Sequence, residues 1–337
     1  MITRASATVL LCLLLAACGG TSDTATASGT AASPGTSPGD TTAAPTAPTG
    51  AVTVDHVFGS TTVEGVPERV VSLDLQWTDV LLELGVTPVA VAADDLASGD
   101  GVHPWQADAL ADVEQLDTSD GIPYEQIAAL DPDLITVTFQ VTEVADYERL
   151  SAIAPTLPAP TERQVQAWQD LALAVDDVLG QPGTGEDVID RVEALVADTA
   201  AELPGLDGQT FALANYVPSD SIYVVADVED GSSVLFTDLG LELDPEILAA
   251  ADGTVGRTQL SLEQVGMLDS DVLVVFANDG DPADLPGWDQ LPAVARGSVA
   301  QLDYSDVVGL NTPTPRSVPH SLALIRPALE IAAAAAG

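Results

Sequence analysis

Few residues of this sequence combine the types and the spacing that enzyme chemistry requires. No Gly-x-Ser-x-Gly elbow or Gly-x-Gly-x-x-Gly loop follows a predicted strand, and there is neither a Walker loop nor a His-Glu-x-x-His motif. The three histidines are His56, His103 and His320. They would suit zinc if the fold brought them together, and would otherwise be solvated or capping side chains. We therefore expect no enzymatic activity and no protein-held metal, with a secreted hydrolase and a zinc-binding receptor as alternatives.

Two glutamates occupy equivalent positions in an internal repeat. Tyr124–Val137 aligns without a gap with Leu262–Val275, and this alignment places Glu125 opposite Glu263. Each copy is typical of a short helix followed by a buried strand. A carboxylate in a first helical turn is favoured by the helix dipole. It can also pair with the arginine of a partner protein. The spacing alone leaves both explanations open.

The repeat also indicates how the whole chain is organised. Both halves have the order strand, Gly-capped helix, strand, and then the Glu-bearing helix with its strand. This order is typical of an α/β fold with parallel sheets and helices on both faces. We predict an N-terminal lobe at residues 51–160, linking helices at 161–204 and a C-terminal lobe at 205–337. Apolar residues at a period of 3.6 predict that the second linking helix is long and joins the two Rossmann-like lobes.

The N-terminal segment is predicted to be a targeting signal and a tether. Residues 1–17 have a positive start and an apolar run too short to span a bilayer, which indicates a secretory signal peptide. The small residues before Cys18 resemble the lipobox of bacterial lipoproteins, which implies that Cys18 is diacylated; a plain signal peptide cleaved near Ala17 is the alternative. Residues 18–50 are then a disordered tether that, after Cys18, consists of Gly, Ser, Thr, Ala and Pro with only Asp23 and Asp40 besides. We expect the protein on the outer face of the cell membrane, held by its lipid.

The composition excludes several classes of protein. The chain of 337 residues has 9 basic residues, all Arg, against 52 acidic residues, and its formal net charge is −43. So few cations exclude a nucleic-acid-binding protein. A hydrophobic fraction of 46% excludes an acidic disordered chain. Both cysteines lie within the first 18 residues, so the remainder has no disulfide framework or thiolate metal site.

Four segments together carry a family signature. They are Thr62–Leu73 (TVEGVPERVVSL), Tyr147–Thr156 (YERLSAIAPT), the segment around Trp168, and Pro286–Val294 (PGWDQLPAV). They resemble the ferric-siderophore substrate-binding lipoproteins of ABC importers, members of the class III periplasmic-binding-protein family, which also includes cobalamin and heme binders.

The resemblance has consequences for fold, ligand and partners. It implies two α/β lobes joined by one long helix and a monomer that binds an already chelated iron, without a cofactor. It also implies that Glu125 and Glu263, one on each lobe, dock onto arginines of the two permease subunits.

The ligand is expected between the lobes, at the carboxyl ends of the strands. Aromatic faces suit the hydrocarbon arms of a siderophore, and guanidinium groups suit its iron-bound oxygens. By position, the candidate ligand-binding residues are Trp77, Trp105, Tyr216, Arg257 and Arg316. Heme, the alternative on the same scaffold along with cobalamin, would instead need an axial ligand such as His103 or Tyr216.

The acidic surface bears on the choice of siderophore. Like-charge repulsion would slow an anionic ferric catecholate, so a neutral or cationic ferric hydroxamate is favoured. Salt screens such fields beyond about 8 Å. Solubility or growth in salt would explain the acidity equally well.

Overall fold

The computed structural model describes residues 50–97, 101–163, 165–251, 256–277 and 280–336. The predicted signal peptide, Cys18 and nearly all of the predicted tether lie outside these residues. No helix in the described part is both long and apolar enough to cross a membrane.

The first half of the described chain forms a parallel sheet with helices on it. Its strands are β1 (Ala51–His56), β2 (Gly59–Glu64), β3 (Val70–Ser72), β4 (Ala90–Ala92), β5 (Glu114–Leu116), β6 (Leu134–Thr136) and β7 (Thr156–Leu157). Its helices are α1 (Leu75–Glu83), α2 (Ala107–Leu110), α3 (Tyr124–Ala129) and α4 (Val144–Ser151). β1 and β2 form an antiparallel hairpin, whereas the other five strands form a parallel sheet in the order β5-β4-β3-β6-β7.

Two helices connect this sheet to the second one. They are α5 (Trp168–Val175) and the 19-residue α6 (Thr184–Glu202). On α6 the buried residues Val188, Val192, Val196 and Thr199 follow one face at intervals of three and four residues, so this face packs on the rest of the protein.

The second half forms a mixed sheet. Its strands are β8 (Thr210–Val217), β9 (Ser221–Val225), β10 (Glu242–Leu243), β11 (Arg257–Leu260), β12 (Val272–Ala277) and β13 (Val299–Leu302). Its α-helices are α7 (Gly231–Asp238), α8 (Pro245–Ala251), α9 (Pro292–Arg296), α10 (Tyr304–Asn311) and α11 (Ser317–Ala335), and short 3₁₀ helices span Pro204–Leu206, Leu262–Leu268, Pro282–Asp284 and Trp288–Gln290. The strand order is β11-β9-β8-β12-β13, with β10 also paired to β8.

The two-lobed α/β fold with a long interlobe helix is confirmed, but the second sheet is only partly parallel. β10, β12 and β13 pair in parallel, whereas β9 is antiparallel to β8 and β11 is antiparallel to β9. The physical reason is the three-residue turn between β8 and β9, which contains Ser219 at φ 63°. So short a connection can only join antiparallel neighbours, because a parallel crossover needs a dozen or more residues.

Two of the identical aspartates in the repeat clamp the start of a neighbouring strand. The Asp133 carboxylate accepts the amides of Glu68 and Arg69, each at 2.8 Å, directly before β3. In the second copy, Asp271 accepts the amide of Thr210 at 3.0 Å, at the start of β8. The presence of Asp at this position in both copies of the repeat therefore has a structural explanation. Within the described part of the chain, the side chains of the repeated glutamates Glu125 and Glu263 make no such bond.

A single apolar cluster extends through both halves. It contains Trp77 of the first half, Trp168 of α5, Val192 of α6, and Phe211 and Phe236 of the second half. The Phe211 and Phe236 rings stack with centroids 4.6 Å apart. The linking helices therefore share a core with both sheets.

Replacement of Asp271 by Ala should lower the free energy of unfolding by about 1–3 kcal/mol, because the Thr210 amide loses its side-chain acceptor. Urea unfolding followed by circular dichroism measures this change. Asp269→Ala is the matched control, since Asp269 is an exposed member of the same repeat. Equal effects of the two substitutions would contradict the clamp.

Candidate functional site

A cavity of about 470 Å³ lies at the carboxyl ends of the parallel strands. The residues that follow β3, β4, β5 and β6 form one wall, and α10 of the second half closes the cavity with Tyr304 and Val308. The volume is in the range of cavities that hold small organic ligands. The strand ends and α10 thus create a ligand-sized space between the two sheets.

Asp74 fixes the geometry of the inner wall. It caps α1 by accepting the Trp77 amide at 3.0 Å, and its other oxygen accepts the amide and the hydroxyl of Thr138 at 2.5 and 2.6 Å. These bonds join the end of β3 to the end of β6. Burial raises the pKa of Asp74, although the hydrogen bonds to its carboxylate oppose that rise. Asp74 has its bonding capacity occupied by the protein and serves as a structural residue.

Asp94 lies at the centre of a polar cluster in the cavity. Its carboxylate accepts the Tyr304 hydroxyl at 3.2 Å and the Leu96 amide at 3.0 Å, and lies 3.4 Å from Nε2 of His103. Partial burial favours its protonated form, but the bonds from His103, Leu96 and Tyr304 outweigh burial and lower its pKa. Burial and the Asp94 charge raise the pKa of Tyr304 to about 12. At neutral pH the cluster therefore contains a carboxylate and a protonated phenol.

Behind the cavity, a buried carboxylate links the two halves. Asp79 of α1 is fully buried. Its carboxylate accepts hydrogen bonds from Nε1 of Trp105 at 2.7 Å, from Nε2 of Gln106 at 2.7 Å and from the hydroxyl of Thr314 at 2.5 Å. Thr314 belongs to the loop before α11, so this bond crosses from one half to the other. Burial raises the pKa of Asp79 to about 6, and the three hydrogen bonds oppose a further rise.

Trp105 packs across the same junction. Its ring stacks on His103 with centroids 4.9 Å apart and is tilted against His320 of α11 at 5.1 Å. It also lies so close to Gly309 of α10 that a Cβ there would be 2.8 Å from the indole. Trp105 therefore contacts the back of the helix that closes the cavity.

None of the five residues predicted to bind ligand lines this cavity. Trp77 is 1% exposed and belongs to the core that extends through both halves, because α1 directs it away from the strand ends. Tyr216 is 5% exposed within the core of the second half. Proximity to a strand end in sequence does not determine which way a side chain points, and both aromatic residues lie in apolar clusters rather than in the lining of this cavity.

The two predicted arginines are bonded elsewhere. Arg257 is exposed, and its guanidinium donates to Oδ1 of Asn311 at 2.8 Å. Arg316 pairs with Glu83 at 3.0 Å and donates to the carbonyl of Trp105 at 3.1 Å. Arg316 and Trp105 are thus brought together at the junction of the halves rather than in the cavity.

The sequence interpretation missed the residues that do line the cavity. Asp94 and Asp95 directly follow β4, Phe139 follows β6, and Tyr304 begins α10 after β13. Position after a strand, the criterion that selected Trp77, would have found Asp94 and Phe139. His103, considered only as a metal or heme ligand, is 3% exposed and lines the cavity.

The structure does not assemble the three-histidine site. His56 bonds to Thr61 at 3.0 Å, and His320 pairs with Asp306 at 3.1 Å. Among the residues described, no group of three or more His, Cys, Asp and Glu side chains is arranged to hold a metal ion.

The two repeated glutamates are both exposed. Glu125 lies in the first turn of α3, and Glu263 lies in the first turn of the 3₁₀ helix Leu262–Leu268. The start of that 3₁₀ helix is fixed by the Gln264 side chain, which accepts the Ser261 amide at 2.9 Å. Both carboxylates are therefore presented to solvent at equivalent places on the two halves.

Two α/β lobes joined by a long helix, with a ligand-sized cavity between them, define a bilobal solute-binding protein. The family described as Periplasmic binding protein matches residues 70–305, and this chain belongs to it. The family consists of proteins that bind solutes.

Individual relatives agree with this assignment. The Fe(3+)-citrate-binding protein YfmC of Bacillus subtilis is 28% identical over 252 residues, which are 73% of this chain and 76% of that protein. A periplasmic solute binding protein from Mycobacterium smegmatis has a TM-score of 0.72 at 27% identity, over 84% of this chain and 99% of that one. The fold is also shared with PiaA of Streptococcus pneumoniae in complex with ferrichrome, with a TM-score of 0.68 at 22% identity, over 84% of this chain and 98% of that one.

The raised pKa of Asp79 predicts a pH-dependent stability. Because its folded value of about 6 exceeds its ordinary value of 3.8, protonation of Asp79 stabilises the fold. This contribution is complete below pH 3.8 and is lost as the pH rises through 6. Asp79→Asn should therefore cost more stability at pH 5 than at pH 7, by about 1 kcal/mol.

Urea unfolding at both pH values measures this difference. Asp112→Asn is the control, because it replaces an exposed carboxylate on the same lobe. A cost of Asp79→Asn that is the same at pH 5 and pH 7 would refute the assignment.

Proposed function

We propose that this protein captures a ferric siderophore outside the cytoplasmic membrane and delivers it to the permease of an ABC importer. The observation that carries the proposal is the cavity of about 470 Å³ between two lobes of a periplasmic binding protein. Support comes from the relative named for Fe(3+)-citrate binding and from the similar structure that holds ferrichrome. The protein acts by binding and release and catalyses no reaction.

The cavity offers groups suited to an iron that is already chelated. It is lined by aromatic rings such as Phe139 and Tyr304, and by polar side chains such as Gln106, Gln140 and Thr118. Aromatic faces can pack on the hydrocarbon arms of a chelator, and amides and hydroxyls can bond to its polar groups. The iron arrives with its ligands supplied by the chelator, so the protein needs no cofactor.

The proposal predicts saturable, stoichiometric binding in the cavity. Isothermal titration of the purified full chain with ferric hydroxamates, ferric catecholates, ferric citrate, heme, cobalamin and zinc should give one equivalent of at least one ferric chelate. Val308→Trp fills the cavity and should weaken that binding at least about tenfold.

Leu248→Trp, at an exposed position of α8, is the matched control and should bind as the wild type does. Binding of heme, cobalamin or zinc alone would refute the siderophore assignment, and equal affinity of both Trp variants would place the ligand outside this cavity.

We assign permease docking to Glu125 and Glu263. Both carboxylates are exposed, both lie at equivalent places in the repeat, and neither has an ion-pair partner in the described parts of the chain. Asp133 and Asp271, identical in the same repeat, each bond to the start of a strand, whereas among the described residues no hydrogen bond or ion pair holds either glutamate side chain. A pair of charge-assisted bonds to arginines would fix both lobes on the permease.

Replacing Glu125 and Glu263 together by Ala should leave chelate affinity unchanged and reduce uptake of radiolabelled ferric chelate by at least about tenfold, because two charge-assisted contacts are lost. Glu148→Ala with Glu246→Ala is the matched control, one exposed helical glutamate from each lobe. Weakened binding by the purified Glu125/Glu263 variant, or normal uptake in cells that contain it, would argue against docking.

The protein is extracytoplasmic, in keeping with its family. We propose that a diacylated Cys18 anchors it and that the segment up to residue 50 lets the monomer reach the permease.

A further inference from the structure

The charged groups of the cavity are strongly biased towards one sign. They are Asp74, Asp94, Asp95 and His103. No arginine of the described residues is part of its lining, and the sequence contains no lysine. The guanidinium groups expected around the ligand are therefore not part of the described lining of this cavity.

The arginines proposed for the ligand are bonded at other places. Arg316 is paired with Glu83, and Arg257 is bonded to Asn311. Among the described lining residues, His103 is therefore the only basic side chain.

Two of the three carboxylates remain available to a ligand. Asp74 is excluded because it is buried and its oxygens accept hydrogen bonds from Trp77 and Thr138. Asp94 also accepts the Leu96 amide and the Tyr304 hydroxyl and lies 3.4 Å from the His103 ring, but its side chain is 30% exposed. Because the pKa of Asp94 is lowered, its carboxylate is ionised at neutral pH and its charge can act on a ligand. Asp95 is exposed at the edge of the cavity. Even with His103 protonated, Asp94 and Asp95 together leave a net negative charge.

His103 supplies an independent indication of the ligand's chemistry. The side chain is 3% exposed and lines the cavity, and its Nδ1 has no hydrogen-bond partner among the residues described. When Nε2–H of a neutral ring donates to Asp94, Nδ1 is an acceptor. A buried ring nitrogen without a partner, beside two carboxylates in the lining, is suited to a polar group that the ligand brings.

We propose, on the basis of the proposed function, that the cavity selects a ferric chelate that carries an ammonium group. Asp94 and Asp95 recognise this cationic group. Singly charged hydroxamates balance the charge of Fe(III), so an ammonium on such a chelator makes the whole complex a cation. Doubly charged catecholates and citrate leave an anion, which the cavity disfavours by like-charge repulsion. Asp94 and Asp95 are the residues that determine this specificity.

The test uses two chelates that differ only in charge. The probes are ferrioxamine B, a ferric trihydroxamate with a free amine, and the same chelate with that amine acetylated. Isothermal titration of the full chain should give about tenfold tighter binding of the amine form, which corresponds to ~1.4 kcal/mol. Asp95→Asn should reduce this ratio to about threefold, and Asp94→Asn with Asp95→Asn should bring it close to one.

Asp112→Asn is the matched control. It removes the same charge from an exposed site on the same lobe, so it should keep the tenfold ratio if recognition is local rather than a property of the net charge of −43. Circular dichroism confirms folding of each variant, and Asp95→Asn tests the inference on its own if the double variant fails to fold.

The outcomes separate this inference from the function on which it rests. Equal affinity for the two chelates, or tighter binding of ferric citrate than of ferrioxamine B, would overturn charge selection and leave the siderophore assignment intact. An unchanged ratio in Asp95→Asn and in the double variant would also overturn it. Failure of every ferric chelate to bind would overturn the proposed function and this inference together.

Discussion

The geometry of the site depends on one buried carboxylate. Asp79 holds the indole of Trp105, the amide of Gln106 and the hydroxyl of Thr314 around one point between the lobes. A buried carboxylate carries a large desolvation cost, and it is tolerated here because three donors surround it. Loss of any one donor would leave that cost less well compensated.

The junction sets the position of the cavity wall. Trp105 contacts Gly309 in α10, and the same helix presents Tyr304 and Val308 to the cavity. On the other side, Asp74 ties the end of β3 to the end of β6. The cavity therefore lies between two surfaces whose separation is fixed by buried polar contacts, so its shape is largely formed before a ligand enters.

The fold was more accessible from the sequence than the site was. The internal repeat predicted the two lobes. This was possible because the periodicity of strands and helices is a local property of the sequence. The antiparallel β9 and β11 escaped notice because pairing direction depends on a turn, here at Ser219, and on which strands become neighbours. Side-chain direction was harder still. Trp77 and Asp94 both follow strands, yet the first is buried in the core and the second faces the cavity. Only the packing of α1 on the core distinguishes them.

The apolar cluster shared by both lobes has a mechanical consequence. Because Trp77, Trp168 and Phe211 belong to one core, the lobes cannot be pulled apart as two separate globules without exposing apolar surface to water. Such a body resists wide spontaneous opening, and it should melt in one cooperative transition rather than lobe by lobe. Under the docking proposed for Glu125 and Glu263, release of the ligand would require the permease to deform this shared core. The energy for ligand release would then come from the transporter, and the substrate-binding protein would resist this deformation elastically.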